Sequence, residues 1–156
     1  RAITNNYQSY SKGEERDFFK ISDGNFSLKI LPLICYEIIY SGKIFKNNRF
    51  DYIINISEDG WFGKSIGPEQ HFTHSIFRAI ESGKYVLRSS NNGKTAIINP
   101  LGVVEKQVDY NKSGYIDLNE TRNTKSTLFA RHGNLIFVFI ILLYIFLIFS
   151  SNKVKK

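Results

Sequence analysis

The chain holds one cysteine, Cys35, and its setting is the first place where the residue types suggest chemistry. Leu31-Pro32-Leu33-Ile34-Cys35-Tyr36-Glu37 puts the thiol at the end of an apolar run, just ahead of a polar, glycine-containing segment with helical potential. A nucleophile held on a strand-to-helix turn projects into a cleft, where nearby backbone N–H groups can face a developing oxyanion. Glu37, two residues on, could pair with a cation or hydrogen-bond a polar group beside the thiol. A lone cysteine is also a common small core residue. Residue chemistry alone therefore leaves two readings, a buried thiol or a nucleophile. A single cysteine excludes an internal disulfide and any multi-cysteine metal site.

Two further clusters carry polar chemistry. Asn55 to His71, NISEDGWFGKSIGPEQH, sets small and polar residues directly after an apolar run, the composition of an active-site loop. Its Trp61 reads either as a substrate contact or as an amphipathic anchor packed on a loop. Ser57-Glu58-Asp59 has the spacing of neither a hydrolase triad nor a metal site, and Gln70-His71 reads as a helix start rather than a ligand or base. Arg88 to Ala96, RSSNNGKTA, contains an Asn-Asn-Gly step that favours a positive-φ hairpin turn, with pocket lining as an added role.

The elements that must position these clusters alternate along the chain. Strands are expected at Phe26–Ile34, Asp51–Ile56, Tyr85–Arg88 and Thr95–Asn99. A Pro100-Leu101-Gly102 turn then leads to a return strand at Val103–Val108, and Gly114–Leu118 is read as one more. His71 to Gly83 has helical spacing through Phe72, Ile76, Ala79 and Ile80, with a glycine where a helix should stop. The opening stretch Tyr7–Glu15 reads as loop, and no Met or apolar leader precedes it. Such alternation indicates a layered α/β domain.

Leu135 to Phe149 is an apolar run of 15 residues. At ~1.5 Å per residue it covers ~22 Å, and the flanking Gly133, Asn134, Ser150 and Ser151 bring it near the ~30 Å of a hydrocarbon core. It is apolar on every face, which favours a membrane anchor over a core helix. Lys153, Lys155 and Lys156 follow it, so the positive-inside rule places the preceding domain outside the cytoplasm. The expected division is a domain over residues 1–131, a transmembrane helix over 132–151 and a basic cytoplasmic tail over 152–156. The net charge of +7 is spread among acidic residues apart from that tail, and no zinc-finger or RNA-binding signature appears, so nucleic acid is not an expected partner.

Taken in order, ICYEIIY at 34–40, NISEDGWFGKSIGPEQH at 55–71, RAIESGKYVLRSSNNGKTAIINPLG at 78–102 and the final apolar segment resemble the apolipoprotein N-acyltransferases, a membrane-embedded branch of the nitrilase superfamily. The resemblance covers nearly all of residues 24–150. It implies an α/β fold, the C-terminal part of a nitrilase-like αββα sandwich followed by one transmembrane helix, in a bacterial inner membrane with the catalytic domain on the periplasmic side. The implied chemistry moves a fatty acyl chain from a phospholipid, through a thioester on Cys35, to the amino group of a diacylglyceryl-cysteine lipoprotein, with no cofactor and no metal. Cys35, Tyr36 and Glu37 match the family's nucleophile and the next two positions it needs, the Tyr36 N–H being a candidate oxyanion donor. Trp61 and its glycine-rich loop match the segment beside the nucleophile. The family's Glu and Lys lie upstream of the nucleophile, and no motif for either is present here, so these residues alone are expected to be an inactive fragment. The alternatives are a carbon–nitrogen hydrolase (amidase) of the same superfamily and a non-catalytic membrane-anchored remnant.

Overall fold

A computed structural model describes residues 18–24, 26–42, 49–119 and 125–154; the expected loop at Tyr7–Glu15 lies outside them. The described chain runs β1 (Phe19–Asp23), β2 (Phe26–Ile34), a short 3-10 helix (Cys35–Ile39), β3 (Tyr52–Glu58), a 3-10 turn (Gly60–Phe62), α1 (Gly67–Ser82), β4 (Tyr85–Asn91), β5 (Thr95–Ile98), β6 (Val104–Val108), α2 (Leu128–His132) and α3 (Leu135–Val154). The six strands make one mixed sheet in sequence order. β2, β3 and β4 are parallel at its centre, while β1, β5 and β6 join antiparallel. This is the α/β class that the alternation of elements predicts.

Register decides which side chains meet. Leu31, Ile53 and Val86 are aligned across the parallel strands, and so are Leu33, Asn55 and Arg88. Alternation then puts these rows on one face, beneath Phe72 and Ala79 of α1, where they form the core with Ile38, Phe50, Ala96 and Ile98. On the opposite face Ile34 and Ile56 are 68% and 61% exposed. Apolar side chains on both faces of parallel strands are the pattern of a sheet covered on both sides.

α1 begins at Gly67, four residues ahead of the expected start, because Pro68 in its first turn needs no hydrogen-bond partner there. Gly83, at φ 68°, ends it with its N–H on the Ala79 carbonyl at 2.9 Å. Its inner face differs from the expected one: Ser75, Arg78 and Ser82 are buried beside Phe72 and Ala79, while Ile80 is exposed.

Two stretches depart from the expected elements. Gly114–Leu118, expected as a strand, forms no regular element and does not join the sheet. Phe19–Asp23, ahead of the first expected strand, is an edge strand whose five residues are all exposed; such a strand has no buried face to mark it. The segment expected over 132–151 opens on His132, the last residue of α2, and Gly133, at φ 54°, stands between it and α3. Among the described residues no helix is long and apolar enough to cross a membrane. The apolar part of α3 ends at Phe149, ~22 Å from its start against the ~30 Å of a bilayer core.

Replacing Ile53, fully buried at the centre of the sheet, by Ala is expected to cost about 2–5 kcal/mol in denaturant unfolding. Phe77→Ala on the exposed side of α1 should stay within about 0.5 kcal/mol. Equal costs at the two positions would contradict the placement of the core.

Candidate active site

The three parallel strands end at one edge of the sheet: Cys35 follows β2 directly, Asp59 follows β3, and Asn92 follows β4. In open α/β sheets this carboxyl edge is where crevices for ligands form. Cys35 has φ 48°, a left-handed conformation that costs a non-glycine residue about 1–3 kcal/mol unless its surroundings impose it. Cys35 is partly exposed, and the Ser57 hydroxyl lies 3.8 Å from its Sγ.

Neighbouring side chains impose this turn. The Cys35 carbonyl accepts from His71 Nε2 at 3.2 Å and from Asn55 Nδ2 at 3.4 Å. Asn55 also donates to the Leu33 carbonyl at 2.9 Å, so one amide ties the last two inward-facing positions before the turn. Glu37 reaches back, its carboxylate accepting the Ile34 N–H at 2.8 Å and closing the start of the 3-10 helix. Tyr36 is exposed, its ring 6.0 Å from the His71 imidazole.

Behind the thiol lies a cluster of buried polar side chains: Asn55, Ser57, Asp59, His71, Ser75 and Arg88. Asp59 is its hub. Arg88 Nη2 donates to both carboxylate oxygens at 2.9 and 2.7 Å, Ser57 Oγ to Oδ1 at 3.0 Å, and His71 Nδ1 lies 2.8 Å from Oδ1. Arg88 Nη1 spans Asn55 Oδ1 and Ser75 Oγ. Burial pushes the Asp59 carboxyl upward, but the contact with His71 and the charge and hydrogen bonds of Arg88 outweigh it and hold it well below the usual carboxylate range. Buried charges persist only when paired in this way. Gly93 is required by the same cluster, because a Cβ there would strike the Asp59 carboxylate and Ser90 Oγ.

Trp61 stands 66% exposed on the Gly60–Phe62 turn, so it is not packed as an anchor. A cleft of about 550 Å³ beside this turn is lined by Asp59, Gly63, Ser65, Glu69, Asn92 and Tyr110 among others, and neither Cys35 nor Trp61 is part of its wall. Asn91–Gly93 forms the hairpin loop expected of Asn-Asn-Gly, with Asn92 at φ 58° lining that cleft. Among the described residues no group of three His, Cys, Asp or Glu side chains could hold a metal.

Sequence reading singled out Cys35, Tyr36, Glu37 and Trp61, and the first three share one turn. It set His71 aside, and Asn55, Asp59 and Arg88 stood only as parts of polar runs. A signal for one of these, Asn55, was present, together with its neighbour Ser57. Asn55 and Ser57 alternate with Ile54 and Ile56 in phase with buried Ile53, so they point inward where a polar side chain needs a partner.

The carbon–nitrogen hydrolase family model matches residues 4–126. The chain is 46% identical over 129 residues to "Apolipoprotein N-acyltransferase" of Rickettsia bellii, covering 81% of this chain and 25% of that protein. It is 45% identical over 125 residues to the protein of the same name in Rickettsia prowazekii, and 42% identical over 126 residues to that of Wigglesworthia glossinidia brevipalpis, covering 76% and 79% of this chain. The chain spans about a quarter of the length of these curated relatives. A solved amidase from Nesterenkonia sp. is similar at a TM-score of 0.46 and 15% identity, over 65% of this chain and 40% of that one.

Asp59→Asn is expected to cost about 3–5 kcal/mol at neutral pH, since Arg88 loses its buried counter-charge. A carboxyl whose folded-state pKa is lowered stabilises the fold above its unfolded value of about 3.9 and loses that contribution as pH falls below it. The gap between wild type and variant in denaturant unfolding should therefore narrow below about pH 4. A gap that widened there would contradict the charge assignment.

Proposed function

The chain belongs to the carbon–nitrogen hydrolase family, and on that footing we propose that the protein is an N-acyltransferase of the apolipoprotein type with Cys35 as its nucleophile. The observation that carries the reading is the strained turn of Cys35 at the carboxyl edge of the parallel strands, in a segment shared with relatives of that name. In the first step Cys35 Sγ attacks the ester carbonyl of a phospholipid; the C–O bond breaks, lysophospholipid leaves with a proton, and a thioester remains. In the second step the amino group of a diacylglyceryl-cysteine lipoprotein attacks the thioester, an amide forms, and the thiol is regenerated with its proton. The Tyr36 backbone N–H is the candidate oxyanion donor. Glu37 fixes the turn through the Ile34 N–H, and exposed Trp61 is the candidate substrate contact. The family's upstream Glu and Lys, which the resemblance implies as base and partner cation, are not among these residues.

The finer architecture belongs to the same proposal. The exposed apolar face carrying Ile34 and Ile56 suits a second sheet stacked on it, as in an αββα sandwich. α3 is apolar on every face and its large side chains are exposed, which supports a membrane-embedded segment within 132–151, after an enzymatic domain over 1–131 and before a basic tail over 152–156. The carbon–nitrogen hydrolase description also fits an amidase, in which water replaces the lipoprotein amine.

Mass spectrometry of the protein isolated from membranes is expected to find a fatty acyl thioester on Cys35, and Cys35→Ala should lower acyl transfer by at least about 10³-fold. Ammonia release from amides with no acyl transfer would favour the amidase instead. Ile141→Arg with Phe146→Arg should move the protein out of the carbonate-resistant membrane fraction, because each charge costs about 2.5–3.5 kcal/mol at the centre of a spanning helix. Unchanged fractionation would remove the anchor.

A further inference from the structure

Cys35 sits on a backbone conformation that its own side chain disfavours, so something must hold it there. Its carbonyl accepts hydrogen bonds only, and two side chains reach it: Asn55, whose amide is shared with the Leu33 carbonyl, and His71, whose Nε2 approaches at 3.2 Å. The partner fixes the proton, since a bond to a carbonyl requires His71 to carry hydrogen on Nε2. The Asp59 carboxylate, 2.8 Å from Nδ1, is likewise an acceptor, so the ring that makes both bonds carries hydrogen on Nδ1 as well, and Asp59 is itself clamped by both contacts from Arg88. Phe62 and Tyr36, with ring centroids 5.4 and 6.0 Å away, confine the imidazole further. A second path leaves the same carboxylate through Ser57, which touches Oδ1 at 3.0 Å and the Cys35 sulfur at 3.8 Å.

We propose that His71 is a positioning residue for Cys35, its Nε2–H holding the Cys35 carbonyl so that the strained turn keeps the thiol aimed outward. This rests on the reading of Cys35 as nucleophile. His71 is not placed to act as its base: the ring is buried, and its nitrogens meet Asp59, Ser57, Arg88 and the Cys35 carbonyl rather than the sulfur. The arrangement is an orienting relay from a buried carboxylate, through an imidazole, to the backbone of the reactive residue.

The test compares His71→Gln with His71→Asn in the full-length membrane protein. The amide nitrogen of Gln can reach the Nε2 position, whereas that of Asn reaches only Nδ1. With a phospholipid donor, His71→Asn should lower the maximal rate of acyl-Cys35 formation by about 100-fold while KM stays within about threefold, the pattern of a misaligned nucleophile. His71→Gln should recover to within about tenfold of wild type. Equal losses in the two variants, or a loss confined to KM, would overturn the proposal. A second measurement needs no variant: spectra of the wild-type protein with ¹⁵N-labelled histidine should show one ring protonated at Nε2 and protected from exchange. A ring at this position without the Nε2 proton overturns the proposal even if both variants misfold. Failure of wild type to form acyl-Cys35 sinks the acyltransferase reading instead, and the ¹⁵N spectra still decide the role of His71.

Discussion

The pairing of Asp59 with Arg88, both inaccessible to solvent, is the constraint on which the site depends. Removing two charges from water is costly, and the geometry offsets that cost only by meeting nearly every polar atom. Arg88 on β4 engages Asp59 after β3, Asn55 within β3 and Ser75 on α1. One guanidinium thus ties two strands, the helix that crosses between them and the loop that leaves the sheet. His71 and Ser57 extend the same cluster to residue 35. The strain at Cys35 is sustained by charge pairing on the neighbouring strands together with the Glu37–Ile34 bond of its own segment.

The mixed sheet makes this possible. Parallel β2, β3 and β4 end at a common edge, so three loops distant in sequence open side by side. The face under α1 changes character along its length, from the apolar row of Leu31, Ile53 and Val86 to Leu33, Asn55 and Arg88. Apolar packing sits at one end and the buried polar cluster at the other. On the opposite face Ile34 and Ile56 stand exposed while Ile30, Tyr85 and Ile97 are buried, and α3 carries apolar side chains outward all round, so the exposed parts of both surfaces call for apolar surroundings.

Much of the element plan was legible. Phe26–Ile34 is the strand that its alternation indicates, and Tyr85, Thr95 and the Gly83 stop mark observed boundaries. Positions that fail do so for identifiable reasons. Phe19–Asp23 pairs only at an edge and buries nothing, so no pattern of burial could shape its sequence. Gly114–Leu118 has strand-like residues, yet it touches β6 only through side chains and forms no ladder with it. On α1 the apolar spacing misleads about the inner face, because Ser75, Arg78 and Ser82 are buried through partners rather than through hydrophobicity.

Local order determined what one segment can decide alone: strand and helix type, the strand-end place of Cys35, the positive-φ hairpin at Asn91–Gly93 and the apolar character of residues 135–149. These follow from side-chain period, turn chemistry and composition, which act over a few residues. Only the tertiary structure decided that Cys35 takes φ 48°, that His71 turns inward to its carbonyl, and that Asp59 and Arg88 share one buried site 29 residues apart. Register between parallel strands sets those meetings, and register is a property of the assembled sheet that no single strand encodes.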